Sequence, residues 1–187
     1  MVVYDLLQFL PVSLELLTAL LAKTSRGNFY NLHEVVAQIY PESDVEFHEQ
    51  KGVFCYDYVD FVARLNVPAL LLQAAFLNKL EVVVCSKVDY AYAQKVFSNF
   101  HCESLKDYMQ LYLLIDISLL ADVFEMFRNN SLNENQLDSA YFVSEPQLAW
   151  NAHLKHINRP IPLITDPKMY RKIQPNILGG ICDASVR

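Results

Sequence analysis

At 187 residues, 53% of them apolar, the chain has material for one domain, or for one domain and part of a second, and this composition excludes a disordered polymer. The net charge of −6 argues against nucleic-acid binding on overall charge alone. The charge is uneven, however: residues 151–187 hold six bases (Lys155, Arg159, Lys168, Arg171, Lys172, Arg187) and two acids (Asp166, Asp183), a balance of +4 that leaves −10 for the remainder.

A basic end segment on an acidic body can still meet a phosphate backbone, the plain alternative being a solvated face. Only four glycines accompany eight prolines, which favours long regular elements. Cys55, Cys85, Cys102 and Cys182 share no C-x-x-C spacing, so they read as reduced thiols of an intracellular protein and not as a zinc ribbon. The N-terminal stretch lacks a basic leader and is interrupted by Asp5 and Glu15, unlike a signal peptide. The longest apolar run, Leu111 to Ala121, carries Asp116 in its middle and is too short for a membrane span, so no membrane partner is expected.

In chain order, Val2 to Phe9 reads as a short strand stopped by Pro11. Ser13 then caps a helix with Leu14, Leu17, Leu20 and Leu21 at helical spacing. Arg26 to Asn31 has turn character, Leu32 to Ile39 forms a second short helix, and Pro41 to Asp44 is a turn. The aromatic segment Lys51 to Phe61 reads as an ordered loop or a short strand, and Leu70 to Leu80 is expected to be helical. Asp89 caps a helix through Phe100 whose apolar side holds Ala93, Val96, Phe97 and Phe100. Ser104 and Asp107 form a capping box for the longest helix, expected to run to about Phe127 and to end at Asn129 and Asn130. Its buried stripe comprises Leu105, Tyr108, Tyr112, Ile115, Leu119, Val123 and Phe127. Beyond Asn130 the sequence turns polar, then rich in proline and bases, which places a domain boundary near Ser131: residues 1–130 and 131–187.

Tyr112 and Asp116 lie four apart and so share one helical face. A carboxylate inside the run Leu113–Ile117 is costly unless paired, hydrogen-bonded or bound to a metal. Metal-dependent nucleases need such groups, with a tyrosine hydroxyl to orient water or the scissile phosphate. An amphipathic helix with an exposed Asp is the plain alternative. Asp122, six residues on, falls elsewhere on the helix surface and is expected to form a salt bridge. Gly179-Gly180 follows a basic stretch and would let backbone N–H groups approach a phosphate, although such a pair is more often a turn. His153 and His156 lack a nearby Cys, Asp or Glu and read as surface-helix residues.

Several segments in order resemble a known family: Phe9-Leu10-Pro11-Val12-Ser13-Leu14, Lys51-Gly52-Val53-Phe54-Cys55-Tyr56-Asp57-Tyr58, Asp89-Tyr90 with Ala93-Gln94-Lys95-Val96-Phe97, and Asp107-Tyr108. Leu111-Tyr112-Leu113, Asp116, Leu119-Leu120-Ala121-Asp122-Val123-Phe124-Glu125 and Phe127-Arg128 follow, then Leu148-Ala149-Trp150 and Gly179-Gly180-Ile181. The series resembles the family B DNA polymerases of the protein-primed type, those of organellar plasmids, viruses and Maverick/Polinton transposons. It covers nearly the whole chain and is most distinctive from Asp107 to Arg128.

The resemblance implies a helix-rich α/β fold: the C-terminal half of a ribonuclease H-like 3′–5′ exonuclease domain over 1–130, then the linker into the polymerase palm over 131–187. It implies DNA as partner, DNA replication by nucleotidyl transfer as the parent activity, and Mg²⁺ as cofactor. Asp116 matches the metal ligand of the third exonuclease motif, and Tyr112 the tyrosine that positions the reacting water. Gly179-Gly180 looks like the Tyr-x-Gly-Gly-type element that passes DNA between the two active sites, with Ile177 in place of the tyrosine and Leu178 where an arginine is common. Lys168, Arg171 and Lys172 are the expected phosphate contacts beside it.

The family's first two exonuclease motifs lie upstream of the matched region and its palm aspartates downstream. The isolated chain is therefore expected to be an inactive fragment, with the remainder of the polymerase as a partner. A non-catalytic remnant that binds DNA or protein is the second expectation, and an unrelated helical scaffold the third.

Overall fold

The computed structural model describes residues 5–24, 28–41, 49–78, 83–157 and 159–176. The chain is helix-rich. Its helices are α1 (Leu14–Thr24), α2 (Tyr30–Ile39), α3 (Lys87–Asn99), α4 (Leu105–Asn135), α5 (Glu145–His156) and α6 (Pro167–Ile173). Among the described residues the sheet is a single antiparallel pair, β1 (Leu77–Asn78) with β2 (Val83–Val84), in which Leu77 faces Val84 and Asn78 faces Val83. The chain divides into two compact units, Met1–Trp150 and Asn151–Arg187. The composition shift at Ser131 falls inside α4.

The first unit is organised around α4. Its 31 residues make a rod about 46 Å long at 1.5 Å per residue. Ser104 Oγ accepts the N–H of Asp107 while the Asp107 carboxylate accepts the N–H of Ser104, so the capping box is formed. One face of α4 buries Leu105, Tyr108, Leu111, Ile115, Leu119 and Val123. The same core takes in Leu21 from α1, Leu32 and Val36 from α2, and Ala93 and Val96 from α3. Each large aliphatic side chain buried there contributes about 1.5–3 kcal/mol.

α4 continues past Asn129 and Asn130, where the sequence suggested its end. The Arg128 guanidinium bridges Glu125 at 2.6 Å and Asp138 at 2.7 Å, and the Ser131 hydroxyl donates to the Leu137 carbonyl at 2.7 Å. These contacts outweigh the weak helix preference of two asparagines. The helix stops at Gln136, whose positive φ of 54° closes the last turn.

Four other expectations change. Leu6–Gln8 is a 3-10 turn and not part of a strand, because the Asp5 carboxylate accepts the Leu7 N–H and starts a turn. In α1 the buried positions are Thr18 and Leu21, and Leu20 is exposed: the inward stripe runs 14, 17, 18, 21, and Leu20 lies off it. Leu70–Leu80 is not helical over its described part, which holds one 3-10 turn (Gln73–Ala75) and β1. There the Gln73 side chain and the Phe76 carbonyl both bond the backbone of Cys85, so pairing across the hairpin wins over local helix preference. Ser86, not Asp89, caps α3; Asp89 sits at its third position and accepts from the Ser86 hydroxyl at 2.6 Å.

In the second unit, Asp166 caps α6 through the Lys168 N–H and Pro167 occupies its first turn. Residues 159–176 are exposed throughout. No helix among the described residues is long and apolar enough to cross a membrane.

Candidate functional site

Tyr112 and Asp116 stand one turn apart on α4, as their spacing predicts. Tyr112 is buried and its hydroxyl bonds the Asp116 carboxylate. Burial, reinforced by the hydrogen bonds of its neighbours, pushes the Tyr112 phenol far above the usual tyrosine range, so it remains a neutral donor. Burial also raises the Asp116 carboxyl, opposed by the bond from Tyr112 and by the charge of Lys51. The Oδ1 atom of Asp116 is buried and has no partner.

The aromatic segment between Lys51 and Phe61 packs over this pair as an ordered loop. The Tyr108 hydroxyl donates to the Val53 carbonyl at 2.8 Å. The Phe54 ring stacks on Tyr112 with centroids 5.5 Å apart and on Tyr108 at 6.1 Å. Tyr56 donates its hydroxyl proton to the Tyr112 oxygen at 2.8 Å. Gly52 lies against the Tyr112 ring, where a Cβ would come to 3.4 Å from Cδ2, an ordinary contact. A cavity of about 610 Å³ opens beside the loop, lined by Lys51, Gly52, Phe54, Tyr56 and Tyr112 together with Glu15, Asp57, Phe76, Cys85 and Asp89.

The chain matches no protein-family model, no curated protein and no solved structure.

The residues around Asp116 do not by themselves fit Mg²⁺. That ion takes six oxygens in near-octahedral array, usually through carboxylates and water. Asp116 offers one carboxyl, held toward its neutral form by burial and flanked by two phenols and a lysine charge. Among the described residues no three His, Cys, Asp or Glu side chains come together to hold a metal.

Asp122 makes no salt bridge among the described residues; it is a helix cap supplied from a distant part of the chain. Its side chain is 2% exposed. Oδ1 accepts the Asn31 N–H and the Asn31 side-chain amide, each at 2.8 Å, and Oδ2 accepts the Leu32 N–H at 3.0 Å. These are first-turn donors of α2, whose own cap position is Phe29, a residue with no side-chain acceptor.

Lys168, Arg171 and Lys172 lie on one side of α6, all exposed, with Met169, Tyr170 and Ile173 on the other. They belong to the second unit. Gly179 and Gly180 lie outside the described residues, as does Cys182. Cys55, Cys85 and Cys102 are free thiols, and burial pushes Cys55 and Cys102 up to about 11. Sequence reasoning gave no separate role to Lys51 or Tyr56. The signal available for them was the density of aromatic residues after Lys51-Gly52.

Proposed function

We infer that this chain is part of a family B DNA polymerase of the protein-primed type, carrying the third-motif portion of its proofreading exonuclease. Residues 1–130 then represent the C-terminal half of a ribonuclease H-like domain, and residues 131–187 the linker toward the palm. The observation that carries the reading is Asp116: a carboxylate with a buried, unpartnered oxygen, one helical turn from a tyrosine that donates to it, beside an open cavity. A core seldom keeps such a group without a use for it.

In this reading Asp116 is one ligand of a two-metal site and Tyr112 orients the attacking water, while the remaining carboxylates come from outside this chain. Two-metal hydrolysis needs several carboxylates to hold both cations, so the isolated chain holds the pair without turning over. Lys168, Arg171 and Lys172, with Gly179-Gly180, would meet the DNA backbone. The exposed basic side of α6 also favours a second reading, a non-catalytic remnant that binds DNA through those residues.

Sequencing the DNA on both sides of the coding frame separates the two. An Asp-x-Glu motif upstream and a Tyr-x-Asp-Thr-Asp-like motif downstream support the polymerase; stop codons or unrelated sequence support the remnant. At the bench the isolated chain should neither incorporate nucleotides nor degrade single-stranded DNA. Degradation that disappears in Asp116→Ala would overturn the inactive-fragment conclusion. Loss of salt-sensitive DNA affinity on replacing Lys168, Arg171 and Lys172 with Ala would support the backbone contact.

A further inference from the structure

Tyr112 has one hydroxyl proton, and Asp116, when ionised, can only accept. The proton of Tyr112 is therefore committed to the carboxylate, and a partner on the other side of the Tyr112 oxygen must donate. Tyr56 is that donor, at 2.8 Å, which fixes a chain Tyr56 to Tyr112 to Asp116 with a single direction.

The loop that carries Tyr56 is anchored without it. Val53 is held by the Tyr108 hydroxyl, Cys55 is fully buried, and the Tyr58 carbonyl accepts from Arg64 at 2.8 Å. The Tyr56 ring meets Phe54 edge-on at 5.3 Å and is otherwise 63% exposed, while Tyr112 is only 5% exposed. The Tyr56 hydroxyl thus adds little to burial. Its reach is to the one oxygen whose orientation the candidate site depends on, at the wall of the cavity that both tyrosines line.

We propose that Tyr56 is a positioning residue for the Tyr112–Asp116 pair: its hydroxyl sets the direction in which Tyr112 donates and holds the Tyr112 oxygen at the cavity wall. The proposal rests on reading that pair as part of an exonuclease site.

The test is NMR of the full chain labelled with ¹³C at the tyrosine ζ carbons. In Tyr56→Phe, which keeps the ring, the Tyr112 ζ resonance should shift while that of Tyr108, bonded to the Val53 carbonyl, stays in place. In Tyr112→Phe the Tyr56 hydroxyl proton should exchange with water about tenfold faster, as expected for loss of one hydrogen bond. An unchanged Tyr112 resonance in Tyr56→Phe overturns the proposal, and this arm decides alone if Tyr112→Phe fails to fold. A single-stranded oligonucleotide is then added to the labelled wild-type chain. If it moves Tyr56 and Tyr112, the exonuclease reading is supported. If it moves no tyrosine while the Tyr56→Phe shift persists, the positioning role stands and the exonuclease reading fails.

Discussion

Removing the Asp122 side chain should uncap α2 from across the fold. In Asp122→Ala three donors lose their acceptor: two backbone N–H groups of the first turn and the Asn31 amide. The Asn31 groups are only half-buried and regain water, so together they cost about what an ordinary lost cap costs, roughly 1 kcal/mol. The Leu32 N–H sits in a fully buried residue and stays unpaired, at about 1–3 kcal/mol. The sum is about 3 kcal/mol, or a fall in Tm of roughly 6–12 °C for a chain of this size. Asp122→Asn keeps an oxygen for Asn31 but turns an amide toward Leu32, and should lose about half as much.

The assays are urea unfolding followed by circular dichroism and amide hydrogen exchange across α2. Exchange should accelerate first at Asn31, Leu32 and His33. A loss below about 1 kcal/mol with unchanged protection of these amides would refute the capping argument.

Three further outcomes are expected. Gly52→Ala places a methyl in ordinary contact with the Tyr112 ring and reduces the freedom of the unfolded chain, so stability should rise by about 0.4–1 kcal/mol; a lower denaturation midpoint would show that the ring cannot yield. Because burial raises the Cys55 and Cys102 thiols to about 11, the folded state holds protons that the unfolded state has released; stability should fall as pH climbs from about 9 to 11, and Cys55→Ala should flatten that slope in pH-dependent urea titrations. Asp116→Asn keeps an acceptor for Tyr112 but removes a buried charge, and should stabilise the chain at neutral pH by about 1 kcal/mol, measured by thermal unfolding; a destabilised variant would mean that the Lys51 interaction outweighs burial.

The helices were legible where apolar spacing and a cap agree. α2, α3 and α4 appear where Leu32–Ile39, Asp89–Phe100 and the Ser104–Asp107 box place them, within a few residues at their ends. The losses have a common cause. Leu70–Leu80 is rich in leucine and alanine, good helix formers, but its partner is Val83–Cys85, and backbone pairing across a turn leaves no helical period to read. The extension of α4 to Asn135 depends on Arg128 meeting Asp138, ten residues away, a contact that local propensity does not record. Only the exchange of Leu20 for Thr18 in α1 was open to correction from the sequence, since 14, 17, 18, 21 is the truer helical stripe.

Asp116 and Asp122 show why the site was half legible. Both are acids in one apolar helix, six residues apart, and sequence treats them alike: each is a carboxylate that burial penalises unless it is satisfied. Tertiary structure separates them. Asp122 meets three donors from a segment ninety residues earlier and is accounted for by the stability of α2. Asp116 receives Tyr112, itself held by Tyr56, and keeps a buried oxygen that nothing in the described fold satisfies. A carboxylate retained only for packing is expected to resemble the first, because partial satisfaction is worse for stability than an apolar replacement. The second therefore points to chemistry, and the loop from Lys51 to Tyr58, which brings a lysine charge, a phenol and an open cavity to its side, is where a substrate would meet it.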